Sequence, residues 1–480
     1  MTAGTDVTSA TVVQRLAELA ASVRRDGLPD ALRHDVARRV LDLVGNSLAA
    51  SGELSTSASA VTAVVRGWGG PPDATAIASG LRVPSAAAAL VNGTLAHSLD
   101  FDDTHLPSVL HPSSSVVPAA LAVAEATGAT GAQMLDAAGV GIEVTVRLGM
   151  GGYHEDSGSS EFFERGFHAT SICGAVGAAV AAAMAGGLDA DRIADAAGIA
   201  ASMGSGLLEA NRTGGTVKRV HCGWAAHAGV VAADLARHGL TGPPTVVEGR
   251  FGFLQAFCGD RADIAAVTER LGEHWELPGI FFKPYPCNHF THAGIDAALE
   301  LRARGIRPDD IGDIELGVPG AVLKTIGQPP EEKARPRSGY HAAFSGPYTV
   351  ATALLGGGGL GVFHVDFTDE ATRDERRLAL AAKVRCVADE RCDEIFPHQF
   401  PAVLRVEMVD GSRHEVRVDT NRGGPERPPS TEELATKVRL NASRVLDADA
   451  AAAVARAGLA LPGAPDVSGL MDLVRGGDDA

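Results

Sequence analysis

The chain has 480 residues, of which 45% are hydrophobic and 21% charged, and its formal net charge is −17. This length exceeds one ordinary hydrophobic core. The sequence has no cluster of lysines and arginines with interleaved aromatic residues, so no nucleic-acid partner is expected. Its apolar runs are shorter than the ~20 residues that a membrane span needs, so no membrane partner is expected. The polar N-terminus and six cysteines without a CxxC pair predict a cytoplasmic chain without disulfides.

The first half of the chain is predicted to form one helix after another. Apolar residues recur at helical spacing over residues 11–24, and a second stripe follows Pro29. Stretches rich in alanine and glycine predict further helices at residues 86–98, 114–126, 131–148, 169–184, 190–202 and 223–238. Because small side chains let helices approach closely, we expect a dense, all-helical domain.

The spacing of apolar residues along the chain changes after Leu277. A helix is predicted at 291–304, and alternating apolar residues predict strands at 313–318, 383–389, 402–409 and 413–418, the last two joined across Asp410-Gly411. Helices return at 431–439 and at 450–457, the latter capped by Asp449. The fold class is therefore mainly α: a large all-helical domain (1–276 and 429–480) interrupted by a smaller α+β lid domain (277–428). A cleft between such domains is a usual place for a small-molecule site.

The segment with the most polar chemistry lies near residue 100. Asp100, Asp102 and Asp103 occur beside His97, His105 and His111, in otherwise apolar sequence. A carboxylate beside an imidazole orients the ring and raises its basicity, which suits general acid–base catalysis. Two alternatives stay open at this point, a divalent-metal site and a set of helix caps.

Three further positions point to an anionic substrate. His168 opens an apolar helix, where backbone N–H groups can face an anion. Lys218 and Lys283 are two of only six lysines, and both lie in apolar settings shaped by glycine or proline. The structural alternatives are that His168 is an ordinary core histidine and that Lys218 and Lys283 are lysines whose ammonium groups reach solvent. Together these groups predict a pocket for a small di- or tricarboxylate, in which cations stabilise a developing enediolate. Spacing alone leaves open whether water, carbon dioxide or only a proton departs.

Six stretches of the sequence resemble the MmgE/PrpD family, in the expected order and over nearly the whole chain. They are "NGTLAHSLDFDDTH…HPSSSVVPAALA", "RGFHATSICG", "GGTVKRVHCGWAAHAGVVAADLA", "GRFGFLQAF", "FKPYPCNHFTHAGIDAAL" and "FSGPYTVATALL". The family contains 2-methylcitrate dehydratases, cis-aconitate decarboxylases and an iminodisuccinate epimerase. The resemblance implies a helical domain interrupted by a smaller α+β lid, a homodimer, and chemistry without a metal or an organic cofactor.

By motif, the resemblance implies catalytic roles for Asp100, His111, His168, Lys218, Lys283 and Tyr348. Lys218, Lys283 and His168 are expected to bind the substrate, and Asp102, Asp103 and His105 to support the site. His168 is followed by Ala-Thr, and Lys218 by Arg219, where the decarboxylase pattern has proline.

These departures leave open a substrate other than those of the well-known members. Among the possible reactions, the expected function is a cofactor-independent lyase of the 2-methylcitrate dehydratase type. The alternatives are a cis-aconitate-type decarboxylase or an iminodisuccinate-type epimerase. Two hypotheses assign the chain a different kind of function: a non-catalytic assembly protein on the same fold, and a metal-dependent hydrolase that uses Asp102, Asp103 and His105.

Overall fold

The structure is a computed structural model that describes residues 10–51, 56–155 and 159–476. It divides into two units. The first holds the chain up to Ile280 and again from Val438, and the second holds Phe281–Lys437. The sequence predicts these boundaries at 276/277 and 428/429, and both fall later in the structure. Residues after 276 belong to the first unit because the buried Arg39 and Glu143 bind backbone groups of Leu277.

Helices make up most of the first unit, and two short strand pairs lie in its connections. The helices are α1 (Val12–Asp26), α2 (Asp30–Ser51), α3 (Thr56–Arg66), α4 (Ser85–His97), α5 (Ser113–Thr127), α6 (Gly131–Met150), α7 (Glu161–Glu164), α8 (Ala169–Ala185), α9 (Ala190–Met203), α10 (Glu209–Thr213), α11 (His221–Arg237), α12 (Phe253–Cys258) and α13 (Ile264–Thr268). The strands are β1 (Ala74–Thr75) paired with β2 (Arg82–Val83), and β3 (Tyr153–His154) paired with β4 (Ser159–Ser160).

Helix α8 lies at the centre of the first unit. All of its residues are buried, and it packs against α5, α6, α9 and α11. A helix that is apolar on every face belongs inside a bundle, and the alanines and glycines of α8 let its neighbours approach closely. The N-terminus of this buried helix is where His168 lies.

The second unit is built on a four-stranded mixed sheet with helices against it. Its elements in chain order are α14 (His292–Ala303), β5 (Ile311–Val318), α15 (Leu323–Ile326), α16 (Pro330–Ala334), α17 (Gly339–Ala342), α18 (Gly346–Leu355), α19 (Glu375–Ala381), β6 (Val384–Ala388), α20 (Glu390–Ile395), β7 (Ala402–Met408) and β8 (Arg413–Val418). The strand order is β6-β5-β7-β8, with β5 parallel to β6 and antiparallel to β7. The predicted hairpin is present, and Gly411 takes a positive φ of 88° in its turn.

The chain leaves the second unit within α21 (Thr431–Ala442) and ends in α22 (Ala448–Ala460) and α23 (Ser468–Val474). The predicted cap of α22 is wrong: Asp447, not Asp449, accepts the backbone N–H of Ala450, because the helix begins at Ala448. The predicted fold class, mainly helical with an α+β part toward the C-terminus, is confirmed.

Candidate active site

Two glycines bring the site's elements together where α4 crosses α11. A Cβ atom on Gly93 would lie 2.8 Å from the Gly223 Cα, too close for any side chain. His97 lies one turn after Gly93 on α4, and His221 and Cys222 directly precede Gly223 on α11. The close crossing therefore places these three polar side chains at one end of the helix pair.

The loop after α4 is held by buried carboxylates. Asp102 Oδ2 lies 2.7 Å from His97 Nδ1. Asp103 forms an ion pair with the buried Arg39 at 3.2 Å and accepts a 2.6 Å hydrogen bond from the Ser113 hydroxyl. Burial raises the pKa of Asp103 to about 6, although Arg39 opposes the rise. These contacts fix the path of the loop into α5.

His105 shapes the tip of the same loop. Its backbone pairs with Leu110, and its Nδ1 lies 2.7 Å from the Ser108 hydroxyl. Burial, with the charge of Arg39, lowers the pKa of His105 to about 3. A neutral, hydrogen-bonded ring in this position closes a turn, and the supporting role of His105 in the site stays a prediction.

His111 is presented to the site by backbone contacts on both sides. Its Nδ1 lies 2.6 Å from the carbonyl oxygen of Asp103, and its backbone N–H donates to the Thr170 hydroxyl at 3.1 Å. Because a carbonyl only accepts, the His111 Nδ1 carries hydrogen, and the neutral ring has its basic lone pair on Nε2. The ring is half-buried and can exchange a proton at Nε2.

His168 and His221 meet at the N-termini of α8 and α11. Their Nδ1 atoms lie 3.1 Å apart, so one hydrogen is shared between the two rings. Burial, followed by the charges of Lys218, His97, His221 and His111, lowers the pKa of His168 well below its ordinary value. Burial, with the charges of His97 and Lys218, also lowers the pKa of His221 to about 4. Both rings are therefore neutral near pH 7.

Four imidazoles thus form one cluster in the first unit. The ring centre of His97 lies 5.3 Å from that of His111 and 5.4 Å from that of His168, and His168 lies 5.2 Å from His221. Lys218, half-buried in the turn before α11, acts by its charge on two of these rings. The structure accordingly brings together three predicted site residues, namely His111, His168 and Lys218.

His97 and His221 were not among the predicted site residues. Both stand in the motifs that carry the family resemblance, next to predicted site residues, and this proximity is the sequence signal that points to them. Asp100 is half-buried in a left-handed conformation (φ 52°), and the carboxylate at 2.7 Å from an imidazole is that of Asp102.

Lys283 and Tyr348 belong to the second unit. Lys283 is 1% exposed, and its carbonyl accepts a hydrogen bond from Lys437 Nζ at 2.9 Å. Tyr348 is fully buried, where its hydroxyl donates to the Asp366 carbonyl at 2.7 Å and accepts from Arg377. A cavity of about 300 Å³ in this unit is lined by Phe282, Lys283, Pro284, Leu360, Arg422, Gly423, Arg427, Pro428, Pro429, Glu433, Leu434 and Lys437.

The metal-hydrolase alternative assigns metal binding to Asp102, Asp103 and His105. Within residues 10–51, 56–155 and 159–476, no group of three or more His, Cys, Asp or Glu side chains is arranged to hold a metal ion. Asp102, Asp103 and His105 instead contact His97, Arg39 and Ser108, respectively. In the same described part of the chain, no helix is long and apolar enough to cross a membrane.

Both parts of the chain match domains of one protein family. Residues 14–264 match the MmgE/PrpD N-terminal domain, and residues 285–461 match the MmgE/PrpD C-terminal domain. The human cis-aconitate decarboxylase is 32% identical over 427 residues, which cover 85% of this chain and 82% of that protein. The cis-aconitate decarboxylase of Aspergillus terreus is 29% identical and covers 84% of each chain. A cis-aconitate decarboxylase-like protein of Aspergillus oryzae is 30% identical over 81% of this chain and 82% of its own length. The chain belongs to the MmgE/PrpD family, a family of lyases.

Proposed function

We propose that this chain is a lyase that acts on a small di- or tricarboxylate by proton transfer at a carbon next to a carboxylate. The observation that carries the proposal is the cluster of His111, His168 and His221 beside Lys218. Imidazoles exchange protons near neutral pH, and an ammonium group stabilises the negative charge that develops on the substrate. A non-catalytic assembly protein has no need for such a buried polar cluster.

Lys218 is the proposed partner of a substrate carboxylate, because its ammonium is a point charge beside rings that are neutral. His111 is the proposed proton-exchange residue, because the Asp103 carbonyl holds Nδ1 and leaves Nε2 as the basic atom. Asp100, Lys283 and Tyr348 are retained as proposed site residues because of their places in the family motifs.

Among the reactions of this type, we favour decarboxylation of a cis-aconitate-like tricarboxylate over the 2-methylcitrate dehydration that the sequence favours first. The relatives named cis-aconitate decarboxylase support this choice, since each matches along more than four fifths of this chain. Loss of carbon dioxide leaves an electron pair on the substrate, conjugated with a remaining carboxylate. The negative charge of the bound substrate favours protonation of His111, and a proton from its Nε2 then forms the new C–H bond.

We also propose that the protein works as a homodimer, as the family resemblance implies. Light scattering on the purified protein would then give twice the chain mass of 49.2 kDa. A mass equal to one chain would overturn this part of the proposal and leave the reaction unaffected.

The direct test is a panel of small carboxylates: cis-aconitate, 2-methylcitrate, citrate, iminodisuccinate and tartrates. We expect product from cis-aconitate, and a loss of about 100-fold or more in kcat/KM for Lys218→Met, which removes one charge-assisted contact to the reacting substrate. Lys324→Met is the matched control, because Lys324 is an exposed lysine of the second unit. Turnover of none of these compounds, or equal activity of Lys218→Met and the control, would contradict the proposal.

A further inference from the structure

The last turn of α4 and the loop that follows it carry a buried imidazole–carboxylate pair that the proposed reaction leaves without a role. His97 is 4% exposed and Asp102 is fully buried, with 2.7 Å between Nδ1 and Oδ2. A carboxylate at this distance favours the charged form of the ring, because the attraction offsets part of the cost of burying either charge. Burial alone would lower the pKa of His97, but the interactions with Cys222 and Asp102 outweigh it and raise this pKa to about 10.

This imidazolium faces two of the rings in the site. Its centre lies 5.3 Å from the centre of His111 and 5.4 Å from that of His168. The other titratable groups that face His168 are His221 on α11, at 3.1 Å between Nδ1 atoms, and Lys218 in the preceding turn. The charges that act most strongly on His168 are those of Lys218, His97, His221 and His111, and each of these groups is positive when charged. The surroundings of His168 therefore oppose its protonation.

We propose that His97, fixed by Asp102, is a positioning residue that sets the protonation state of His168, so that His168 meets the substrate as a neutral imidazole. A neutral His168 accepts a proton or a hydrogen bond at the substrate. A charged His168 would instead form an ion pair with a second substrate carboxylate and would hold back the carboxylate that has to leave as carbon dioxide. The consequence for turnover rests on the proposed function, whereas the protonation state itself is a property of the free protein.

The size of the effect follows from the distance between the rings. One unit charge at 5.4 Å shifts a titration by about two pH units at an effective dielectric constant of about 20. This full shift applies to His97→Gln, whereas in Asp102→Asn the loss of the opposite charge of Asp102 reduces it, so we expect about one to two units over the two variants. The sign is upward, because a positive neighbour that disfavours protonation of His168 is lost.

The test is a titration of the histidine rings by ¹⁵N NMR on the full chain, with His168→Gln used to assign the His168 signals. In the wild type we expect a doubly protonated His97 at pH 7 and a His168 that stays neutral well below pH 6.5. In Asp102→Asn and in His97→Gln, the His168 midpoint moves up by about one to two pH units. Asp102→Glu, which keeps the charge, restores a low midpoint.

His227→Gln is the matched control, since this half-buried ring on α11 contacts the Ala86 carbonyl at 2.9 Å and lies outside the cluster. Its His168 midpoint should equal that of the wild type. On the substrate that the panel identifies, the acid limb of kcat/KM should move up by the same amount in Asp102→Asn, since activity is lost as pH falls through the pKa of His168.

A neutral His97 at pH 7, or a His168 midpoint that is the same in wild type, Asp102→Asn and His97→Gln, would overturn the inference. His97→Gln removes the charge without touching Asp102, so the test stands even where Asp102→Asn fails to fold. A protein that turns over no carboxylate contradicts the proposed function but leaves the titration result intact, so the two failures can be told apart.

Discussion

The crossing of α4 and α11 is where a single methyl group should disturb both stability and the site. In Gly93→Ala the added Cβ would lie 2.8 Å from the Gly223 Cα and 3.0 Å from both the Cys222 carbonyl oxygen and the Gly223 nitrogen. All three are backbone atoms, so the helices themselves must separate. Overpacking of this kind costs about 1–3 kcal/mol, against a gain of up to about 1 kcal/mol in helix propensity. We expect a net loss of about 1–2 kcal/mol in the free energy of unfolding.

The assay is urea unfolding followed by far-UV circular dichroism, with Gly469→Ala as the matched control. Gly469 is exposed within α23, and a Cβ atom there meets nothing within 4 Å. That control should be as stable as the wild type or more stable by up to about 1 kcal/mol. Because His97 and His221 flank the crossing, Gly93→Ala should also lower turnover. If Gly93→Ala is as stable and as active as Gly469→Ala, the close approach of α4 and α11 at Gly93 is not needed for stability or for the site.

Three further outcomes are expected. His111→Gln should lower kcat by about 100-fold or more with an unchanged melting temperature; a fully active, folded variant would remove His111 from the mechanism. Glu143→Gln should cost about 3 kcal/mol or more, because it leaves Arg147 charged and 1% exposed, whereas Glu300→Gln, in an exposed pair, should cost about 0.5 kcal/mol or less; equal losses in urea unfolding would contradict this. Burial alone would raise the pKa of Asp389, but hydrogen bonds from arginines hold this pKa below its ordinary value. The Asp389 carboxylate therefore stabilises the fold above about pH 4, and this contribution is lost as the pH falls further. Asp389→Asn should therefore be less stable than the wild type at pH 7 but not in strong acid, and a difference that persists in acid unfolding would refute this.

Much of the fold is predictable from the sequence because its long helices bury one wide apolar face. The predicted helix at 131–148 corresponds to Gly131–Met150, and the strand at 413–418 to Arg413–Val418. Thr56–Arg66 was not predicted, because its serines and threonines blur the helical period. Gly346–Leu355 was not predicted either, since Gly-Pro at its start indicates a turn, although proline fits the first turn of a helix.

The site was predictable only in part, for a related reason. His111, His168 and Lys218 stand out as polar residues in apolar sequence, and the structure brings them together. His97 joins them because two glycines let α4 approach α11, which is a tertiary contact that no local pattern encodes. The choice between Asp100 and Asp102 depends on the left-handed turn at Asp100, which decides which carboxylate points back at His97.

In the proposed reaction, the histidine cluster delivers a proton to a carbon that has lost a carboxylate. The most direct measurement is NMR of the purified protein with ¹³C-labelled cis-aconitate in deuterated water. We expect release of labelled carbon dioxide together with incorporation of one deuterium per product, and the loss of both in His111→Gln. No carbon dioxide from cis-aconitate, or unchanged release and deuteration in His111→Gln, would contradict it.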